Sequence, residues 1–185
     1  MADTDRARWD SRFSEGDWRL EPFPLLVEHS ALLSGGAALD LACGPGHNTV
    51  WLAELGYTSI GVDISRVGLV QAQALARARG VSDRTAFIEA DFDSFRPAPG
   101  CCDLIIVLRF LHRPLFPALV RALRPGGLLF YATFNLRLEA IRQHPMRPFL
   151  LEPGELRGSF HMLEIICSSD SEGPHGELSV LIGRR

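Results

Sequence analysis

Two glycines and two aspartates carry the chemistry this sequence can be read for. In the run Ala38-Leu39-Asp40-Leu41-Ala42-Cys43-Gly44-Pro45-Gly46-His47-Asn48, an apolar stretch meets a glycine turn and then a new element. Gly61-Val62-Asp63 follows. Glycine suits backbone that must take a positive φ or lie close to a ligand. A helix opening after such a turn offers unpaired N–H groups to negative charge. A lone carboxylate about 20 residues further on can accept two hydrogen bonds from a ribose. The set reads as a site for an adenosine-containing ligand. A nicotinamide site asks for G-x-G-x-x-G/A. Here Gly44 and Gly46 are followed by Thr49, and Asp40 sits in the strand where such sites are apolar.

These residues need elements to hold them. The pattern predicts a short amphipathic helix within 1–22, anchored by Trp9, Phe13 and Trp18, and a second helix over Pro24–Leu33. Strands are expected at 37–41, 57–62, 85–90, 103–108 and 128–133, with helices at 47–55, 65–79 and 114–123 between them. Ser65 is a good helix cap, and Gly80 is a good stop. Leu104-Ile105-Ile106-Val107-Leu108 is apolar at every position, as a central parallel strand requires. Strict alternation of strand and helix predicts an α/β, doubly wound parallel sheet. A short helix at 155–160 and strands at 163–168 and 178–183 would add an antiparallel C-terminal hairpin.

Composition narrows the rest. The 185 residues suit a single domain, 1–185. A net charge of -3 gives no global attraction to nucleic acid or an anionic membrane. The expectation is therefore no nucleic-acid partner and no membrane partner. Met1 to Asp10 is polar and mixed in charge, unlike a signal peptide. Cys43, Cys101, Cys102 and Cys167 form no metal-ligand spacing, so no metal is expected, and free thiols point to a cytoplasmic setting.

The glycine run resembles motif I of the class I S-adenosylmethionine (SAM) methyltransferases, D-x-G-C-G-x-G, with Ala42 in place of the first glycine. Gly46-His47-Asn48 is similar to the G-x-N of the tellurite-resistance branch. Arg124-Pro125-Gly126-Gly127 resembles the turn that precedes the fifth strand of the family. Trp9-Asp10-Ser11-Arg12-Phe13 and Leu150-Leu151-Glu152-Pro153-Gly154-Glu155-Leu156 resemble segments of the same small bacterial group.

The resemblance implies a Rossmann-like fold, SAM as cofactor and S-adenosylhomocysteine as product. It implies that Asp40, Ala42, Gly44, Gly46 and Asn48 form the cofactor turn and that Asp63 holds the ribose, with Ile64 beside it. Asp91 would accept from the adenine amino group, and Phe92 would cover the ring. Asp93 is the alternative acid. Residues 1–34 would form an N-terminal lid, with Trp9 and Phe13 over the cofactor. These two also read as plain anchors of a surface helix. Cys43 reads as a small filler, or as a reactive thiol beside a helix start.

Methyl transfer from a sulfonium is an in-line displacement that needs alignment more than acid–base chemistry. The acceptor should enter at the carboxyl end of the fourth strand, here Arg109-Phe110-Leu111-His112-Arg113. The [DN]-P-P-[YF] motif of enzymes acting on amino groups is missing there. Arg109, His112 and Arg113, with Arg137, Arg142, His144 and Arg147 in the 135–160 segment, form a cationic edge for a small anionic or soft nucleophile. Arg109 and His112 are the candidate catalytic residues, and Arg109 also reads as a cofactor contact. The partner expected is a small-molecule methyl acceptor. Two other readings stand beside it, an NAD-type oxidoreductase and a SAM-binding protein without turnover.

Overall fold

The computed structural model describes residues 2–16, 21–138, 147–170 and 177–185. The elements are α1 (Ala2–Glu15), α2 (Pro24–Glu28), β1 (Gly36–Leu41), α3 (His47–Glu54), β2 (Tyr57–Asp63), α4 (Arg66–Ala78), β3 (Thr85–Glu89), β4 (Cys102–Leu108), α5 (Phe116–Ala122), β5 (Leu123–Phe134), α6 (Glu155–Ser159), β6 (Glu164–Ser169) and β7 (Leu178–Arg184). One seven-stranded sheet has the order β3-β2-β1-β4-β5-β7-β6. Strands β1 to β5 run parallel, and β7 pairs antiparallel with both β5 and β6. The doubly wound sheet and its C-terminal hairpin are as the pattern predicts.

β4 shows why the sheet is buried on both faces. Leu104 and Ile106 enter one apolar cluster, with Leu52, Leu128 and Phe130. Ile105 and Val107 point the other way, among Leu41, Leu129, Tyr131 and Phe160. Side chains of a strand alternate between faces, so an unbroken apolar run feeds two cores. Each such side chain contributes about 1.5–3 kcal/mol by leaving water.

Two expected boundaries differ. The Pro24–Leu33 helix is broken at His29 into α2 and a 3-10 turn, Ser30–Leu32. Neither half has a side-chain cap to carry the helix across. β5 begins at Leu123 rather than Leu128, because Cys102 pairs with Leu123 while Leu104 pairs with Leu128. The Arg124–Gly127 turn is thus an excursion inside the pairing, with Gly126 at φ 82.

Candidate functional site

β1, β2 and β4 end side by side, and the glycine turn leaves from the first of them. Gly44 has φ 51 and Gly46 has φ 76. A Cβ on Gly46 would lie 2.5 Å from Ala72 Cβ, so this glycine lets α4 pack against the turn. Ala42 has φ 58. Alanine therefore bears the left-handed conformation that glycine takes freely, at a cost of about 1–2 kcal/mol.

The two aspartates hold this turn from below. Asp63 accepts from the Gly44 amide at 2.7 Å and the Ser65 amide at 2.8 Å. It is buried, and burial raises its pKa. Asp40 is buried and accepts from Thr49 Oγ1 at 2.6 Å, which gives the Thr49 departure a role. Burial pushes Asp40 up to about 7. Cys43 fills the space under the turn. Burial, then Asp40 and Asp63, push its thiol well above its ordinary value. That corrects the reactive-thiol reading, since the charged form is disfavoured here.

α1 lies across the turn. A Cβ on Gly44 would lie 2.9 Å from the Phe13 ring, and one on Gly68 would lie 3.0 Å from it. Phe13 is buried and stacks on Trp9 at 5.6 Å. The Arg8 and Arg12 guanidinium groups sit 5.7 and 5.2 Å from the Trp9 ring centre. Asp10 accepts from Ser65 Oγ at 2.6 Å, and Ser65 Oγ in turn accepts from the Gly68 amide. Gln71 Nε2 donates to the Phe13 carbonyl. Asp10 and Ser65 thus tie the helix to the site, a link between residues 55 apart that no local pattern announces.

Ile64 is half-buried after Asp63. Asp91 is half-buried and accepts from the Asp93 amide at 2.9 Å. Phe92 is buried, 4.8 Å from Phe110 and 6.0 Å from Phe95. Phe110 is half-buried, so this aromatic group runs from the core to the end of β4.

Beyond β4 the cationic edge divides. Arg109 is exposed, has φ 56, and holds its guanidinium 5.6 Å from the Phe23 ring centre. A bulky residue in this conformation is a real outlier. His112 lies stacked on Phe110, and its Nε2 is buried without a hydrogen bond, 3.7 Å from Asp93. Arg113 is spent elsewhere. Its Nε lies 2.5 Å from Glu155, and its other nitrogens donate to Glu155, Leu150 and Pro148. Arg113 therefore clasps the 148–155 segment and leaves the anion-binding set. Arg137 lies just past β5, its amide bonded to Asn135 Oδ1. Arg142 and His144 lie outside the described residues, as does the side chain of Arg147.

Asn48 is buried. Its Oδ1 accepts from the Phe23 amide at 2.8 Å, and its Nδ2 meets His47 Nε2 at 3.2 Å. The other ring nitrogen of His47 is buried without a partner. Burial and then Arg109 lower this histidine to about 4. An unpaired buried donor costs about 1–3 kcal/mol. Of these residues, Phe23 is marked by no residue pattern, while His47, Asp10 and Ser65 stand in marked runs without a role at the site.

The site fits an adenosine-containing cofactor. A carboxylate has about four acceptor positions, and Asp63 spends them on the Gly44, Ser65 and Ile64 amides with one left for a ligand's hydroxyl. Among the described residues there is no group of three or more metal-ligating side chains.

The family profile described as "Methyltransferase domain" matches residues 38–127. A ubiquinone biosynthesis O-methyltransferase of Methylococcus capsulatus is 35% identical over 121 residues, 62% of this chain and 50% of its own. A trans-aconitate 2-methyltransferase of Delftia acidovorans is 36% identical over 131 residues, 66% of this chain and 47% of its own. The chain spans about half the length of these curated relatives. Among solved structures, an S-adenosylmethionine-dependent methyltransferase from Mesorhizobium loti superposes with a TM-score of 0.69 at 17% identity. The match covers 90% of this chain and 100% of that one.

Proposed function

Because this chain belongs to the class I SAM-dependent methyltransferases, we propose that it transfers the cofactor's methyl group to a small-molecule acceptor at the carboxyl end of β4. The observation that carries this reading is Asp63, a buried carboxylate fastened to the Gly44, Ser65 and Ile64 amides with one acceptor position to spare. When bound, SAM supplies a methyl group already activated by its sulfonium charge. The protein's task is then alignment and exclusion of water. Asp63 holds the ribose. Gly44 and Gly46 let the Phe13 ring and α4 close on the turn that carries the cofactor. Residues 1–34 serve as a lid, with Phe13 and Trp9 over the turn, and the 135–160 segment flanks the acceptor. Asp91 and Phe92 border the adenine end, with Phe110 packed on Phe92.

The acceptor sits against Arg109 and His112. His112 Nε2 takes a proton from an acceptor that reacts as a hydroxyl or thiol, and stays idle for one already ionised. The relatives are named for ubiquinone biosynthesis and for trans-aconitate, both small molecules. The narrower likeness to the tellurite-resistance branch rests on Gly46–Asn48 and two other short segments. Four free cysteines suit a reducing cytoplasm.

Calorimetric titration with S-adenosylhomocysteine tests the reading, with NADH alongside. Binding in the micromolar range, lost in Asp63→Ala, is expected. Silence with the thioether sinks the proposal, and heat with NADH promotes an oxidoreductase in its place.

A further inference from the structure

Cys101 and Cys102 set two thiols side by side at the start of β4, and the transfer outlined above uses neither. Both are free, and their Sγ atoms lie 3.2 Å apart. Cys102 opens the amino end of β4, about 20 Å of strand from Leu108 at the other end. Cys102 is buried and Cys101 is half-buried. The chain just before them, Ala98-Pro99-Gly100, is exposed. A reagent therefore reaches Cys101 first.

The gap between the sulfurs selects what can bridge them. A disulfide asks for Cα atoms about 4.4–6.8 Å apart. Neighbours across a trans peptide are held at about 3.8 Å, and no cis peptide occurs among the described residues. A metal ion bonded to each sulfur at about 2.3 Å spans about 3.8 Å when tetrahedral and about 4.6 Å when linear. A trivalent centre with near-right angles and the same bond length spans about 3.3 Å, which matches the gap found here.

The protons favour the same bridge. Burial, then the adjoining Cys101 thiol, push Cys102 above its ordinary value. An ion that needs thiolates is penalised by that shift. Arsenious acid, As(OH)3, condenses with neutral thiols. Two As–O and two S–H bonds break, two As–S and two O–H bonds form, and two waters leave with no change of oxidation state. The remaining hydroxide is the third ligand. No third side chain is then required, and among the described residues no group of three or more metal-ligating side chains is present.

We propose that Cys101 and Cys102 form a binding site for a trivalent, thiol-seeking metalloid of the arsenic(III) class. The inference stands apart from the methyltransferase reading, since neither thiol lies at the cofactor end.

The test titrates arsenite into the whole reduced protein, read by non-denaturing mass spectrometry and by a count of free thiols. Wild type is expected to take up one arsenic per chain with loss of two waters, consuming two of its four thiols. Cys101→Ala and Cys102→Ala should each weaken binding about a hundredfold or more, because each removes one sulfur of the chelate. Cys167→Ala should bind as wild type does. Cys101→Ala carries the test if the buried Cys102 position does not tolerate alanine. Dithiothreitol should strip the arsenic, while an equal thiol concentration of glutathione should not. No adduct in wild type, an adduct that consumes one thiol, or equal affinity in Cys101→Ala overturns the inference. So does removal by glutathione as readily as by dithiothreitol, or zinc held more tightly than arsenite.

Discussion

The two ends of the parallel strands treat their polar groups in opposite ways. At the amino end, Asp103 accepts from the Ala37 amide at 2.7 Å and from Arg124 at 2.6 Å. Arg124 also reaches the Gly100 carbonyl. Arg185 donates to the Arg121 and Leu123 carbonyls, and its backbone pairs with Gly126 and Gly127. Positive φ values near this end fall on Gly35, Gly36, Gly100 and Gly126. At the carboxyl end, Ala42 and Arg109 are the non-glycine residues with positive φ among the described residues. His47 Nδ1 and His112 Nε2 are buried without partners, and burial raises both Asp40 and Asp63. One end closes its hydrogen bonds within the chain, apart from Ser59 Oγ in the first half of β2, which is buried without a partner among the described residues. The other keeps strain and open donors, which is where a bound molecule can complete the set.

Removing an acid from each end should break the comparison most sharply. Asp63→Ala is expected to weaken S-adenosylhomocysteine about a hundredfold in calorimetry, since charged hydrogen bonds are each worth about 1.5–3 kcal/mol. Asp103→Ala should lower stability by about 1–3 kcal/mol in urea unfolding and leave cofactor affinity unchanged. If it weakened binding as much as Asp63→Ala, the division of labour between the ends would be wrong.

The pH dependence sharpens the picture at the carboxyl end alone. Asp40 keeps its proton up to about 7 when folded, against an ordinary value of 3.8. The folded state then binds the extra proton, so this group's share of stability is present at low pH and falls as pH rises through that window. His47 stays neutral down to about 4, against an ordinary 6.5. The unfolded state takes up that proton first, so His47's share falls as pH drops from about 6.5 to 4. The two oppose each other. Relative to wild type, the urea midpoint of His47→Gln should fall more steeply from pH 4 to 7. That of Asp40→Asn should fall less, or rise. Parallel profiles for all three proteins would contradict the assigned burial. The smallest effect belongs to Ala42→Gly. Relief of the left-handed strain should slightly exceed the added freedom of the unfolded chain, raising stability by up to about 1 kcal/mol.

Much of the scaffold was legible because its signals are local. Ser65 and Gly80 bracket α4, and Ser65 Oγ accepts from the Gly68 amide as a cap should. The all-apolar β4 announced burial on both faces. Pro24–Leu33 misled, since a proline start and apolar spacing say nothing of the missing caps around His29. In the site, Gly44, Gly46 and Asp63 could be read from spacing. His47 could not, because its tautomer depends on Asn48 and on an amide 25 residues before that one.

Arg109 and Arg113 mark the limit. The sequence by itself determined the order of strands and helices, the turn and the carboxylate behind it, since these follow from periodicity, glycine and short spacings. It left two arginines on one edge looking alike. Tertiary structure separated them: Arg113 is neutralised by Glu155, 42 residues away, while Arg109 is held in a strained state beside a neutral histidine. The reason is physical. A partner brought from across the fold decides whether a charge is consumed or kept for a ligand, and no local pattern of residues carries that information.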